Sequence, residues 1–133
     1  MDGKQKHWFS LRVLAVTGIA VLVATGAVVW CAKSRIPNID ATTAKQLHTA
    51  ADQLSEHSDG AVDKATWPVA ISKFSPKSVR VTTNGIYVKV RSSFVEEQGL
   101  FLLPTNSSFQ PTVSGDPAYR QLRQRIYWYE IKG

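Results

Sequence analysis

The chain has 133 residues, which suits one small domain plus an accessory segment rather than two full domains. Apolar residues make up 44% and charged residues 20%, which excludes both a disordered polymer and a polytopic membrane protein. The single cysteine, Cys31, excludes an internal disulfide and a Cys-based zinc site. The formal net charge of +6 is uneven: residues 1–35 carry five basic side chains against Asp2, and residues 36–133 carry eleven against nine acidic ones. Basic residues gathered beside an apolar segment suit lipid head groups, so no nucleic-acid partner is expected.

Residues 13–32 (VLAVTGIAVLVATGAVVWCA) contain no charge, and twenty residues of helix match a hydrocarbon core of about 30 Å. Trp8, Phe9 and Trp30 stand at the ends, where aromatic rings favour the membrane interface, and Arg12 and Lys33 bracket the run. The expectation is a basic tail over 1–12 and an uncleaved transmembrane signal-anchor helix over 13–32. Residues 36–133 would then lie outside the inner (plasma) membrane, with the lipid bilayer as a partner. A cleaved signal peptide, using Ala24 and Gly26 as the small pair, is the competing reading. Thr17, Ala20, Ala24, Ala27 and Cys31 place small side chains on one face, which would permit a homo-oligomer through this helix.

Residues 33–60 read as a linker and an amphipathic helix. Pro37 interrupts the preceding run, Asp40 is a plausible N-cap, and Ala44, Leu47, Ala51 and Leu54 form one stripe before Gly60. Residues 67–76 (WPVAISKFSP) predict one or two helical turns opened by Pro68, with Trp67 as a plug between helix and sheet.

The clearest folding signal is SVRVTTNGIYVKVRS, residues 78–92, where two alternating runs meet at Asn84 and Gly85, the preferred pair for a type I′ hairpin turn. That turn would set Val81 opposite Val88 and Val79 opposite Val90 on an apolar face. Arg80 would oppose Lys89, and Ser78 would oppose Arg91, on a basic face that also holds Tyr87. Opposed like charges call for a nearby negative group, supplied by Glu96, Glu97 or Glu130, or by an external anion. Residues 94–104 predict a central strand with a bulge at Gly99, and residues 105–117 predict a long exposed loop. Residues 117–125 suggest a short basic helix, and residues 125–131 (RIYWYEI) a closing aromatic strand. The expected fold is α+β, in which the membrane helix precedes a second helix and, within residues 61–133, a small antiparallel sheet of three to five strands.

Chemistry is sparse. His7, His48 and His57 form no set with a nucleophile, and His48 and His57 are too far apart on one helix to share a metal. HExxH, CxxC, GxSxG and phosphate-loop patterns are missing from the sequence. Glu96 and Glu97 are adjacent and alternate across a strand, an arrangement unsuited to a paired acid and base. No cofactor and no metal are expected.

The motifs WP, PKSVRVTTNGIYVKV, FVEEQGLFLLP and YWYEIKG resemble those of a group of small bacterial proteins with one N-terminal membrane segment and a hairpin-containing C-terminal domain. The group has no assigned function, so the resemblance implies an architecture and neither an activity nor a site. The functional expectation is a membrane-tethered, non-catalytic envelope protein whose outer domain binds a protein or anionic partner, including an immunity-type role. Its candidate surface is Arg80, Tyr87, Lys89, Arg91, Tyr127 and Tyr129. The alternatives are a small envelope enzyme using Glu96 or Glu97 in a closed pocket, and a structural subunit of a membrane assembly.

Overall fold

The structure is a computed structural model that describes residues 36–133. The chain divides into two units, residues 1–37 and residues 38–133, and every described element belongs to the second. The predicted transmembrane helix over 13–32 and its flanking residues Trp8, Phe9, Arg12, Trp30 and Lys33 lie outside the described residues. Among the described residues no helix is long and apolar enough to cross a membrane. The longest, α1 (Ala41–Leu54), has 14 residues.

Helix α1 begins where Asp40 accepts the Thr43 amide at 2.6 Å, satisfying one of the donors that every helix start leaves open. Its stripe of Ala44, Leu47, Ala50, Ala51 and Leu54 is buried. It ends at Leu54 rather than near Gly60, because Ser55 to Asp59 add no apolar side chain to that stripe. Strand β1 (Gly60–Ala61) follows, then a 3₁₀ turn at Lys64–Thr66 and the single turn α2 (Val69–Ser72). Trp67 is half-buried and donates its indole N–H to the Val62 carbonyl at 3.0 Å.

The sheet is fully antiparallel and contains β2 (Ser78–Thr82), β3 (Gly85–Ser92), β4 (Glu96–Leu102), β5 (Ala118–Arg123) and β6 (Ile126–Lys132), in the order β1-β2-β3-β4-β6-β5. It therefore has six strands, not three to five, and no transmembrane helix belongs to the described fold. Two strands account for the difference. β1 is only two residues long. β5 occupies the segment expected to be a basic helix: its Ala, Arg, Gln and Leu favour a helix locally, but pairing with β6 overrides that preference.

The β2–β3 turn is centred on Thr83 and Asn84, one residue earlier than expected, with Thr82 opposite Gly85 and Val81 opposite Ile86. Gly85 opens β3 because a Cβ there would lie 2.7 Å from the Phe101 ring and 2.8 Å from the Leu102 carbonyl oxygen. The shift moves each partner by two positions, so the faces are preserved while the pairs change. Arg80 now opposes Tyr87, and Lys89 opposes Ser78, which removes the expected Arg80–Lys89 opposition. The bulge also differs from expectation. It lies in β3, between Lys89 and Arg91, and not at Gly99. Gly99 is instead a point of close approach, where a Cβ would strike the Val88 carbonyl and crowd the Tyr129 ring.

Both faces of the central strands are covered. On one, Val79, Val81, Ile86, Val88, Leu100, Leu102, Ile126 and Trp128 are buried on the side that α1 packs against. On the other, Tyr87, Phe101, Leu103, Tyr119 and Tyr129 form a second cluster, joined by half-buried Phe109 from the long loop.

Candidate functional site

Cross-strand partners share a face, so the second face reads, from β2 towards β5, Arg80, Tyr87, Phe101, Tyr127 and Gln121 in one row. Ser78, Lys89, Gly99, Tyr129 and Tyr119 form the next. The aromatic rings interlock. Tyr87 lies 4.7 Å from Phe101 and edge-on to Tyr129 at 5.0 Å, and Phe109 meets Phe101 and Tyr119 edge-on at 5.6 and 5.7 Å. Such tilted and edge-on contacts are the favourable arrangements for aromatic quadrupoles.

The buried hydroxyls all find partners. Tyr87 and Tyr119 share a hydrogen bond at 2.5 Å, and Tyr129 donates to Glu97 Oε1 at 2.6 Å. The other carboxylate oxygen of Glu97 lies 3.3 Å from Lys89 Nζ, with the two side chains 26% and 29% exposed. Burial first, and then the hydrogen bond to Glu97, push the Tyr129 phenol far above its ordinary value. Tyr119 is raised by burial and by its bond to Tyr87.

The six candidate surface residues separate into four groups. Tyr87 and Tyr129 are buried, at 8% and 0% exposure, and serve as core. Tyr127 is half-buried, its ring 6.5 Å from Phe101. Arg91 leaves the row: the bulge gives it Gln98 as register partner, on the face that Gln98 shares with Glu130. Arg80 and Lys89 remain on the candidate face. Arg80 is exposed, with its guanidinium carbon 5.3 Å from the centre of the Tyr87 ring. A guanidinium over an aromatic face gains about 0.5–1 kcal/mol at exposed sites.

The carboxylates divide likewise. Glu97 belongs to the Lys89–Tyr129 group, Glu130 accepts from Gln98 Nε2 at 2.9 Å, and Glu96 is exposed opposite Lys132. Glu97 is thus held by two donors, Tyr129 and Lys89. His48 is tied to the Gln124 carbonyl at 2.8 Å as part of the contact between α1 and the β5–β6 turn. Among the described residues no group of three or more His, Cys, Asp or Glu side chains could hold a metal ion.

Two further features escape sequence reasoning. A shallow groove of about 240 Å³ beside the β2–β3 turn is lined largely by small polar groups, including Ser55, Asp59, Thr82, Thr83, Asn106 and Ser107. The β3–β4 turn carries Phe94 fully exposed and Val95 half-exposed. Its one sequence signal is an apolar pair set between Ser92–Ser93 and Glu96–Glu97. No family model matches the chain, no curated protein matches it, and no solved structure matches it.

Proposed function

We propose that the domain formed by residues 38–133 is a non-catalytic binding module that docks an anionic protein partner against the β2–β3 face. One observation carries the reading: Arg80 is an exposed cation held over Tyr87, and Tyr87 is itself fixed within the aromatic cluster. A cation held in place by a rigid ring loses little conformational freedom on binding, which is how arginine and tyrosine come to dominate contact surfaces. Lys89 stands on the same face, partly neutralised by Glu97, and Tyr127 offers flat area beside the cluster.

The test is affinity capture with the full-length chain after cross-linking in cells. Arg80→Glu should reduce recovery of the principal cross-linked partner at least tenfold while the melting temperature stays near wild type. Unchanged recovery would refute the assignment of this face.

A further inference from the structure

The strand order leaves two sheet edges, and they are guarded differently. The β1 edge is two residues long. The β5 edge is six, and it is covered for only part of its length. In an antiparallel pair, alternate residues turn both backbone groups towards the neighbour or away from it. Tyr119 donates its N–H away from β6, to the Thr112 carbonyl at 2.8 Å, so Tyr119 and Gln121 are the outward-facing positions. The long loop occupies the Tyr119 end. At Gln121 the outward N–H and C=O have no partner among the described residues.

The strand's own charged side chains are basic, while Asp40 interacts with Arg123 and Asp116 and Glu130 bracket the segment. Residues 117–129 contain Arg120, Arg123 and Arg125 and no Asp or Glu. Arg125 is engaged within the fold by Thr105 and lies 4.0 Å from Asp52. Arg120 and Arg123 are exposed, and their register partners Trp128 and Ile126 share a face, so both project to the same side of the edge. Arg123 is steadied by a 2.7 Å bond from its Nε to the Ile39 carbonyl. A second copy of this edge would bring arginine against arginine, which discourages self-pairing. An extended chain with carboxylates at alternate positions meets both cations from one side while its backbone satisfies Gln121.

We infer that the open half of the β5 edge, from Gln121 to Arg123, receives an acidic extended segment of a partner protein as an added strand. This surface is separate from the Arg80 face, and neither reading depends on the other.

The experiment is an amide-resonance titration of the full-length chain with a blocked eight-residue peptide carrying glutamate at alternate positions, beside its lysine counterpart. The glutamate peptide should shift the Gln121–Arg123 amides and the lysine peptide should not. Gln121→Pro removes the outward donor at a position where an edge strand tolerates proline, and should weaken binding at least tenfold. Arg120→Glu, a surface change, should weaken it by a similar factor. Failure of the glutamate peptide to bind would overturn the proposal. So would undiminished binding by Arg120→Glu, or by a folded Gln121→Pro chain, since the second outcome would show charge attraction without strand pairing.

Discussion

The two faces of the sheet are closed by different means. Beneath α1 the face is mainly aliphatic: Leu47 and Leu54 of the helix are buried, as are Val, Ile and Leu side chains of the strands, with Trp128 the one aromatic among them. No helix among the described residues packs on the opposite face, which is closed by its own aromatic rings and by Phe109 reaching back from the loop. The first face needs only shape and volume, whereas the second also needs every hydroxyl to be satisfied, since an unpaired buried polar group costs about 1–3 kcal/mol. The price of using tyrosine as core is sensitivity to chemistry that leaves leucine unaffected.

Truncation should affect both faces most and almost equally. Phe101→Ala is expected to cost about 3–5 kcal/mol and Leu47→Ala about 2–5 kcal/mol in urea unfolding, because both side chains are fully buried. A small effect at Phe101 would mean that the aromatic face is loosely packed.

Alkali should separate the faces. Tyr129 and Tyr119 keep their protons well above the ordinary phenol value of 10.0, through burial and then through their bonds to Glu97 and Tyr87. The unfolded chain releases those protons near its ordinary value while the folded chain retains them. This contribution to stability is therefore complete below the unfolded pKa and declines as pH rises past it. Urea midpoints measured from about pH 8 to about pH 11 should fall in wild type and fall less steeply in Tyr119→Phe/Tyr129→Phe. At neutral pH, Tyr119→Phe alone should cost about 1–3 kcal/mol by leaving the Tyr87 hydroxyl without its partner.

The smallest effect lies where α1 is tied down. Asp52 accepts the Thr105 amide at 2.8 Å and the Thr105 hydroxyl at 2.9 Å, and these bonds, with Arg125 and His48 nearby, hold its carboxyl below the usual 3.8. A lowered pKa gives stability that is present above the unfolded value and lost as pH falls through the folded one. Asp52→Ala should cost about 1 kcal/mol or less at pH 7, because the group is partly exposed, and should flatten the acid limb of the stability profile.

How much of this can be read in the sequence depends on the range of the interactions involved. The Asp40 cap and the α1 stripe are local, and both are visible as spacing. The hairpin faces are also local, but the turn position is set by the Phe101 ring against Gly85, a contact between strands that no turn preference encodes. Strand β5 carries arginines on an exposed edge and lacks the clean alternation of a half-buried strand, so it reads as helix. The loss of Arg91 from the candidate face follows from a bulge with no glycine to announce it. Tyr87 and Tyr129 look like surface because tyrosine suits an interface, and only the fold reveals the hydroxyl partners that let them be buried.

The strand order also bears on how the molecule is made. β6 is the last strand of the sheet, yet it lies between β4 and β5. While the protein leaves the ribosome, the β2–β3–β4 meander can assemble from neighbouring segments, but Leu100, Phe101 and Leu102 then border a bare edge until Ile126–Lys132 emerges and inserts. A chain truncated within residues 105–117 and released would display that edge to chaperones and to other unfinished copies.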